Sequence, residues 1–263
     1  MSMIVLAIII VSVIGIIAGV GLSVASVALE VPVDEKVEKA REALPGANCG
    51  GCGYSGCDAY AEAVANGEAE PNLCAPGGAQ AAKALAEVAG VEADFVKKVA
   101  YVTCNGGCDN TSQKFEYKGI GSCVAVSALL GGDNSCANGC LGRGDCVSAC
   151  DEKGVFINDK GIAEIDSASC IGCGKCAKAC PRGIIKLLPE KQPQVIVKCN
   201  NKEKGAVARK NCKVACIGCG LCAKVCESDA ITVQDNLAVI NPEKCTACGK
   251  CIEKCPQKCI VIE

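Results

Sequence analysis

The sequence predicts an α+β chain of several small parts. These are one apolar amino-terminal helix, a small helical domain organised by four cysteines, and two modules of short strands and helices organised by cysteine runs. Three observations carry this. The first 29 residues hold no charged side chain. Cysteine supplies 26 of the 263 residues, grouped at recurring spacings. Residues 155–165 and 230–240 each read as a strand, a turn and a strand.

Composition already excludes much chemistry. The chain has no histidine, so no Ser-His-Asp triad, no His-ligated zinc or haem and no Rieske centre can form. Three phenylalanines, four tyrosines and no tryptophan make a thin core. Domains short of core are commonly held by metal or disulfides instead.

Residues 1–29 are long enough to cross a bilayer, which takes about 20 apolar residues. Gly15-x-x-x-Gly19 is a spacing that lets a second helix approach closely. Ser26-Val27-Ala28 resembles a cleavage site. The run lacks a basic leader, however, and exceeds a signal h-region of about 7–15 residues. The first basic residues, Lys36, Lys39 and Arg41, follow the helix. The positive-inside rule then predicts a single-pass protein of the cytoplasmic membrane, with its amino terminus outside and the rest in the cytoplasm. Thiols stay reduced there, and cysteine patterns read as metal sites.

Residues 30–98 form the first cysteine domain. Val33, Val37, Ala40 and Leu44 make one stripe of a short helix over 33–44, stopped by Pro45-Gly46. Cys49, Cys52 and Cys57 follow in a glycine-rich loop, and Cys74 comes after a further helix. Four thiolates satisfy one [4Fe–4S] cubane; zinc also accepts four, and the remaining groups favour iron. Residues 79–89 predict a helix and 95–99 another.

The carboxyl-terminal half repeats. Cys170, Cys173, Cys176 and Cys180 follow the C-x2-C-x2-C-x3-C pattern, with Pro181 behind. Cys216, Cys219, Cys222 and Cys226 repeat it, as do Cys245, Cys248, Cys251 and Cys255 with Pro256. A stretched version runs Cys136-x3-Cys140-x5-Cys146-x3-Cys150. This is the pattern of bacterial two-cluster ferredoxins, whose fourth cysteine ligates the other cluster. It predicts ferredoxin-like modules at 136–190 and 216–263, separated by a basic insert at 191–215 and preceded by a cysteine-containing connector at 99–135.

The crossed rule groups Cys136, Cys140, Cys146 with Cys180, and Cys150 with Cys170, Cys173, Cys176. In the second module it groups Cys216, Cys219, Cys222 with Cys255, and Cys226 with Cys245, Cys248, Cys251. Asp151 and Glu227 replace the usual proline. They either lower a cluster's potential or simply face water.

Six cysteines remain. Cys259 reads as a buried thiol. Cys104, Cys123, Cys199 and Cys212 are candidates for a sixth cluster, with Cys108 as an alternate, so the count is five or six [4Fe–4S] clusters. The insert carries Lys191, Lys198, Lys202, Lys204, Arg209, Lys210 and Lys213 against Glu203. It is either a docking surface for an acidic electron carrier or a solvated loop.

Leu44-Pro45-Gly46-Ala47-Asn48-Cys49-Gly50-Gly51-Cys52-Gly53-Tyr54-Ser55-Gly56-Cys57, Cys74-Ala75-Pro76-Gly77-Gly78 and Gly139-Cys140-Leu141-Gly142-Arg143-Gly144-Asp145-Cys146 complete the pattern. A membrane helix, this four-cysteine domain and ferredoxin modules, in that order, resemble the B subunits of Rnf complexes. The four-cysteine domain alone is also similar to one in corrinoid iron–sulfur proteins.

The resemblance implies an electron-transfer subunit of a translocase. It would take electrons from soluble reduced ferredoxin and pass them to membrane and peripheral partner subunits. They would reduce NAD⁺, coupled to Na⁺ or H⁺ export. No residue reads as a catalytic acid, base or nucleophile. No GxGxxG or Walker A loop predicts flavin, nicotinamide or nucleotide on this chain, and nothing points to nucleic acid. The alternatives are a polyferredoxin subunit of another membrane redox complex, such as a hydrogenase or reductase, and a zinc-bound scaffold.

Overall fold

A computed structural model describes residues 3–28, 34–190 and 193–263, with the side chains of the first helix described over 8–24. That helix, α1, is Met3–Ala28. Its isoleucines and valines are exposed between Ile8 and Val24, and among the described residues nothing beyond the helix's own adjoining backbone lies within 4 Å of a Cβ built on Gly15 or Gly19. Among the described residues, no helix is long and apolar enough to cross a membrane. The span expected over 1–29 extends past the described side chains at both ends, and Met1, Ser2 and Leu29 lie outside the described residues. So do Val33, the first residue of the expected second helix, and Lys191 of the basic insert.

Three helices follow: α2 (Glu35–Glu42), α3 (Cys57–Ala65) and α4 (Gly78–Ala89). Asp34 caps α2, its carboxylate accepting from the Lys36 amide at 2.9 Å. Ala40, Leu44, Tyr60, Val64 and Leu85 close the core of this bundle. The Tyr60 hydroxyl donates to the Glu70 carbonyl at 2.7 Å and accepts from the Leu73 amide at 3.1 Å. Its ring thereby fixes the segment that leads to Cys74.

The helix expected at 95–99 does not form. Lys98–Val102 is instead the strand β1. Its Val-Ala-Tyr-Val run suits a pleated surface with both faces covered. Ala100 and Val102 enter the core of the first module, while Val99 and Tyr101 pack on the other face beside Ile196. Burial on two faces outweighs a weak local preference for helix.

Four short helices come next in the chain: α5 (Gly107–Asn110), α6 (Cys123–Ala128), α7 (Asp145–Ser148) and α8 (Lys175–Ala179). Among them lie the strands β2 (Val155–Ile157) and β3 (Ala163–Ile165), followed by β4 (Ile185–Pro189). β1 pairs antiparallel with β4, and β2 with β3. The second module repeats this plan. β5 (Val195–Val197) pairs with β8 (Ile260–Ile262), and β6 (Ile231–Gln234) with β7 (Leu237–Ile240). Its helices are α9 (Gly205–Asn211), α10 (Leu221–Lys224) and α11 (Lys250–Lys254).

Each module therefore starts earlier than its cysteine motif. The outer strands β1 and β5 come from segments that the spacing alone assigns to a connector and a basic insert. The helical domain also touches the first module directly. Lys178 Nζ donates to the Gly50 carbonyl at 2.9 Å, and a Cβ on Gly51 would lie 2.9 Å from the Cys173 carbonyl oxygen. Only glycine permits that approach.

Candidate iron–sulfur sites

The first site sits on the bundle. Asn48 Oδ1 accepts from the Cys57 amide at 2.8 Å and draws the cysteine loop onto the start of α3. Cys74 closes the set from the far side. Burial raises its thiol, and the nearby sulfurs of Cys57, Cys52 and Cys49 add to the effect. A Cβ on Gly77 would lie 3.1 Å from Cys74 Sγ.

The modules hold four loops of one shape. Gly172 and Gly174 have φ of 72° and 77°, and Gly218 and Gly220 have φ of 64° and 72°. Ala247 and Gly249 stand at 56° and 77°. Gly142 and Gly144, at 67° and 81°, complete the series. This left-handed pair wraps the chain around one point, so that the cysteines on either side of it face inward. In three loops a cysteine stands between the pair: Cys173, Cys219 and Cys248. In the fourth that place is taken by Arg143.

Where a thiol is missing, another segment supplies one. Cys123, Cys140, Cys146 and Cys180 line one hollow of about 340 Å³. Burial pushes the Cys146 thiol up to about 12, with Cys140, Cys123 and Cys180 contributing. The Asp145 carboxylate holds Cys123 in place. It accepts from the Cys123 amide at 2.8 Å, the Val124 amide at 3.1 Å and the Ser122 hydroxyl at 2.9 Å. Burial opposes its charge, yet these donors keep it below the usual carboxylate range. Arg143 turns outward to pair with buried Asp133 at 2.6 Å, 6.0 Å from the Tyr117 ring centre.

The crossed rule expects Cys136 in that set, and the fold places it elsewhere. Cys104, Cys136, Cys199 and Cys212 line a separate hollow of about 390 Å³. Cys123, expected among this second group, is the residue that changes places with Cys136. Cys108, the alternate, is exposed and its Sγ points at Asp109. The signal that could have revealed the exchange is Arg143, which breaks the cysteine run at its middle position.

The remaining sets follow the crossed rule. Burial pushes Cys176 up to about 11, with Cys170, Cys173 and Cys150 beside it. Cys216, Cys219, Cys222 and Cys255 line a hollow of about 340 Å³. Cys251 has Cys245, Cys248 and Cys226 for neighbours. Cys259 is buried against the Cys216 set, 3.6 Å from Cys255 Sγ. A hydrogen bond from Cys259 holds the Cys216 thiol below its ordinary value and drives Cys259 itself upward.

The donor chemistry fits cubanes. Every set is four thiols without an imidazole, and backbone amides point at the sulfurs. Ala100 N donates to Cys170 at 3.4 Å, Ala163 N to Cys140 at 3.5 Å, Ala230 N to Cys226 at 3.4 Å and Ala238 N to Cys216 at 3.5 Å. Such bonds favour charged sulfur over thiol and tune cluster potentials. Among the described residues, no three such side chains are close-set enough for a single metal ion.

Comparison with known proteins matches three stretches of the chain to family descriptions. Residues 44–76 match a putative Fe–S cluster domain, 162–185 a 4Fe–4S binding domain and 215–259 a 4Fe–4S dicluster domain. Over 252 residues the chain is 48% identical to the B subunit of the Na(+)-translocating ferredoxin:NAD(+) oxidoreductase complex of Acetobacterium woodii. That alignment covers 95% of this chain and 75% of the relative. The B subunit of the proton-translocating ferredoxin:NAD(+) oxidoreductase complex of Clostridium ljungdahlii is 41% identical, over 97% of this chain and 91% of its own length. The B subunit of the ion-translocating oxidoreductase complex of Methanosarcina acetivorans is 36% identical over 94% and 93%.

The chain belongs to the family of Rnf B subunits. Within this Rnf protein, the three family descriptions leave 77–161 and 186–214 unmatched. Those stretches carry Cys104, Cys123, Cys136, Cys199 and Cys212, the thiols whose grouping spacing alone gets wrong or leaves open.

The acids after the fourth cysteines are paired rather than free. Asp151 forms an ion pair with Lys175, and Glu227 with Lys250. Both lysines precede a motif cysteine, so each acid's charge is offset beside the site. The basic insert is likewise partly engaged. Lys198 pairs with Glu263, Lys202 with Asp235 at 3.4 Å, and Lys213 donates to the Asp109 carbonyl at 3.2 Å. Lys204, Arg209 and Lys210 are exposed.

Proposed function

We propose that this chain is the electron-transfer subunit of an Rnf-type ferredoxin:NAD⁺ oxidoreductase, held to the cytoplasmic membrane by residues 1–29 with its amino terminus outside. The observation that carries this reading is the set of four-thiol sites, each backed by family membership or by amides aimed at sulfur. A [4Fe–4S] cluster, when bound, takes up and releases one electron. Five such sites follow: Cys49, Cys52, Cys57, Cys74; Cys123, Cys140, Cys146, Cys180; Cys150, Cys170, Cys173, Cys176; Cys216, Cys219, Cys222, Cys255; and Cys226, Cys245, Cys248, Cys251.

What the chain's own residues do is position, cover and neutralise. Cys219 and Cys248 are exposed, whereas the Cys173 loop is covered by the helical domain. This supports electron uptake from soluble reduced ferredoxin at the second module and delivery through the helical domain to membrane and peripheral partners. The uncharged sequence of residues 1–29 and the exposed isoleucines and valines between Ile8 and Val24 support the anchor, since apolar surface of that kind is stable in lipid.

The test is the complex purified without oxygen. Ferredoxin-dependent NAD⁺ reduction should fall at least tenfold when Cys248 is changed to Ala, with the complex still assembled. A chain lacking residues 1–29 should move from the membrane to the soluble fraction with its iron retained. Full activity without iron would overturn the reading, and an unchanged distribution would overturn the anchor.

A further inference from the structure

We propose that Cys104, Cys136, Cys199 and Cys212 hold a sixth [4Fe–4S] cluster at the junction of the two ferredoxin-like modules. The inference rests on reading the chain as an iron–sulfur carrier. Its first support is the repeat. Cys104 lies two residues past the end of β1, and Cys199 lies two past the end of β5. Cys136 lies four residues before Cys140, and Cys212 four before Cys216. Each module thus gives the same two positions, and together they make one four-thiol set. An accidental meeting of spare cysteines has no reason to respect the repeat.

The second support is the cradle. The Cys140 amide donates to Cys104 Sγ at 3.3 Å, and the Cys216 amide donates to Cys199 Sγ at the same 3.3 Å. These are again repeat-related bonds. Asn201, 1% exposed, directs its Nδ2 toward Cys136 Sγ at 3.8 Å, and its backbone amide donates to Cys199 at 3.5 Å. Cβ atoms built on Gly106 and Gly139 would lie 3.5–3.7 Å from these sulfurs, so the wall is kept thin on that side. Buried polar groups are normally satisfied, and donors that converge on sulfur suit thiolate rather than thiol.

The site has a consequence for order. Cys140 and Cys216 each ligate their own module's cluster while their amides touch the junction set. With the helical domain lying against the Cys173 loop, the six sites form a single file. It runs from the 49–74 site, through the Cys150 and Cys140 sites, across the junction, to the Cys216 and Cys226 sites.

Native mass spectrometry of the full chain, purified without oxygen in detergent, counts cubanes at about 350 Da each, four irons and four sulfides. Six are expected in the unaltered chain and five in Cys199→Ala. The double variant C136A/C199A should still hold five, because both residues serve one site. C123A/C199A should hold four. Five cubanes in the unaltered chain, a zinc ion at the junction, or four cubanes in C136A/C199A would each overturn the proposal. Should a variant fail to fold, the count in the unaltered chain decides alone. A chain with no cubane at all would instead defeat the electron-carrier reading.

Discussion

Single residues decide which thiols meet. Arg143 occupies the middle of a loop whose backbone matches three cysteine-bearing loops, and Cys123 supplies what the loop lacks. Cys123→Ala should therefore cost one cubane, and adding Arg143→Cys should restore it, read as iron per chain. No recovery would mean that the loop does not share the geometry of the others. Asp145 acts through Cys123 as a positioning residue. Hydrogen bonds to a charged group contribute about 1.5–3 kcal/mol each, and Asp145 accepts three. Asp145→Ala should shift the potential and EPR line shape of that cluster, while Asp145→Asn, which keeps an acceptor, should shift them less. Identical spectra would remove Asp145 from this role. Nineteen of the twenty motif cysteines lie beside the thiols that their regular spacing groups them with, and Cys136 does not. Cys123 was not legible, because it belongs to no repeated cysteine run, and only the break at Arg143 hinted at the gap.

Secondary elements here are short, and their placement depends on few contacts. Tyr60 on α3 pins the 70–73 segment through one hydroxyl with two partners. Burial pushes that hydroxyl up to about 12, so it stays protonated and able to donate at any physiological pH. Tyr60→Phe leaves the Glu70 carbonyl and Leu73 amide without it, at about 1–3 kcal/mol. Thermal melting of the cluster-loaded chain should fall accordingly, with earlier iron loss from the 49–74 site; an unchanged melting point would contradict this. The strands show what pattern reading can and cannot reach. β2, β3, β6 and β7 were readable as hairpins from alternation and turn residues. β1 was not, because its identity comes from pairing with β4 and from burial of one face in the first-module core and of the other beside Ile196. A four-residue apolar run without its partners reads equally well as a helix.

At the scale of the molecule, two repeats of one plan are joined by what the spacing alone calls a connector and an insert. Those two segments supply the outer strands and, with Cys136 at the head of the first motif, the junction thiols. The basic side chains of the insert then have a structural use, since Lys198 and Lys202 tie it to the second module. Bound clusters would add about −2 each to a formal charge of −2. The pairing of Asp151 and Glu227 with lysines limits further negative charge beside the sites. With the junction site filled, electrons that cross the whole chain pass through it.

The direct measurement is ferredoxin-dependent NAD⁺ reduction by the complex carrying Cys199→Ala, with cubanes counted in the same sample. At least a tenfold loss of rate is expected while the other five clusters remain. An unchanged rate with those five clusters in place would rule out passage through the junction.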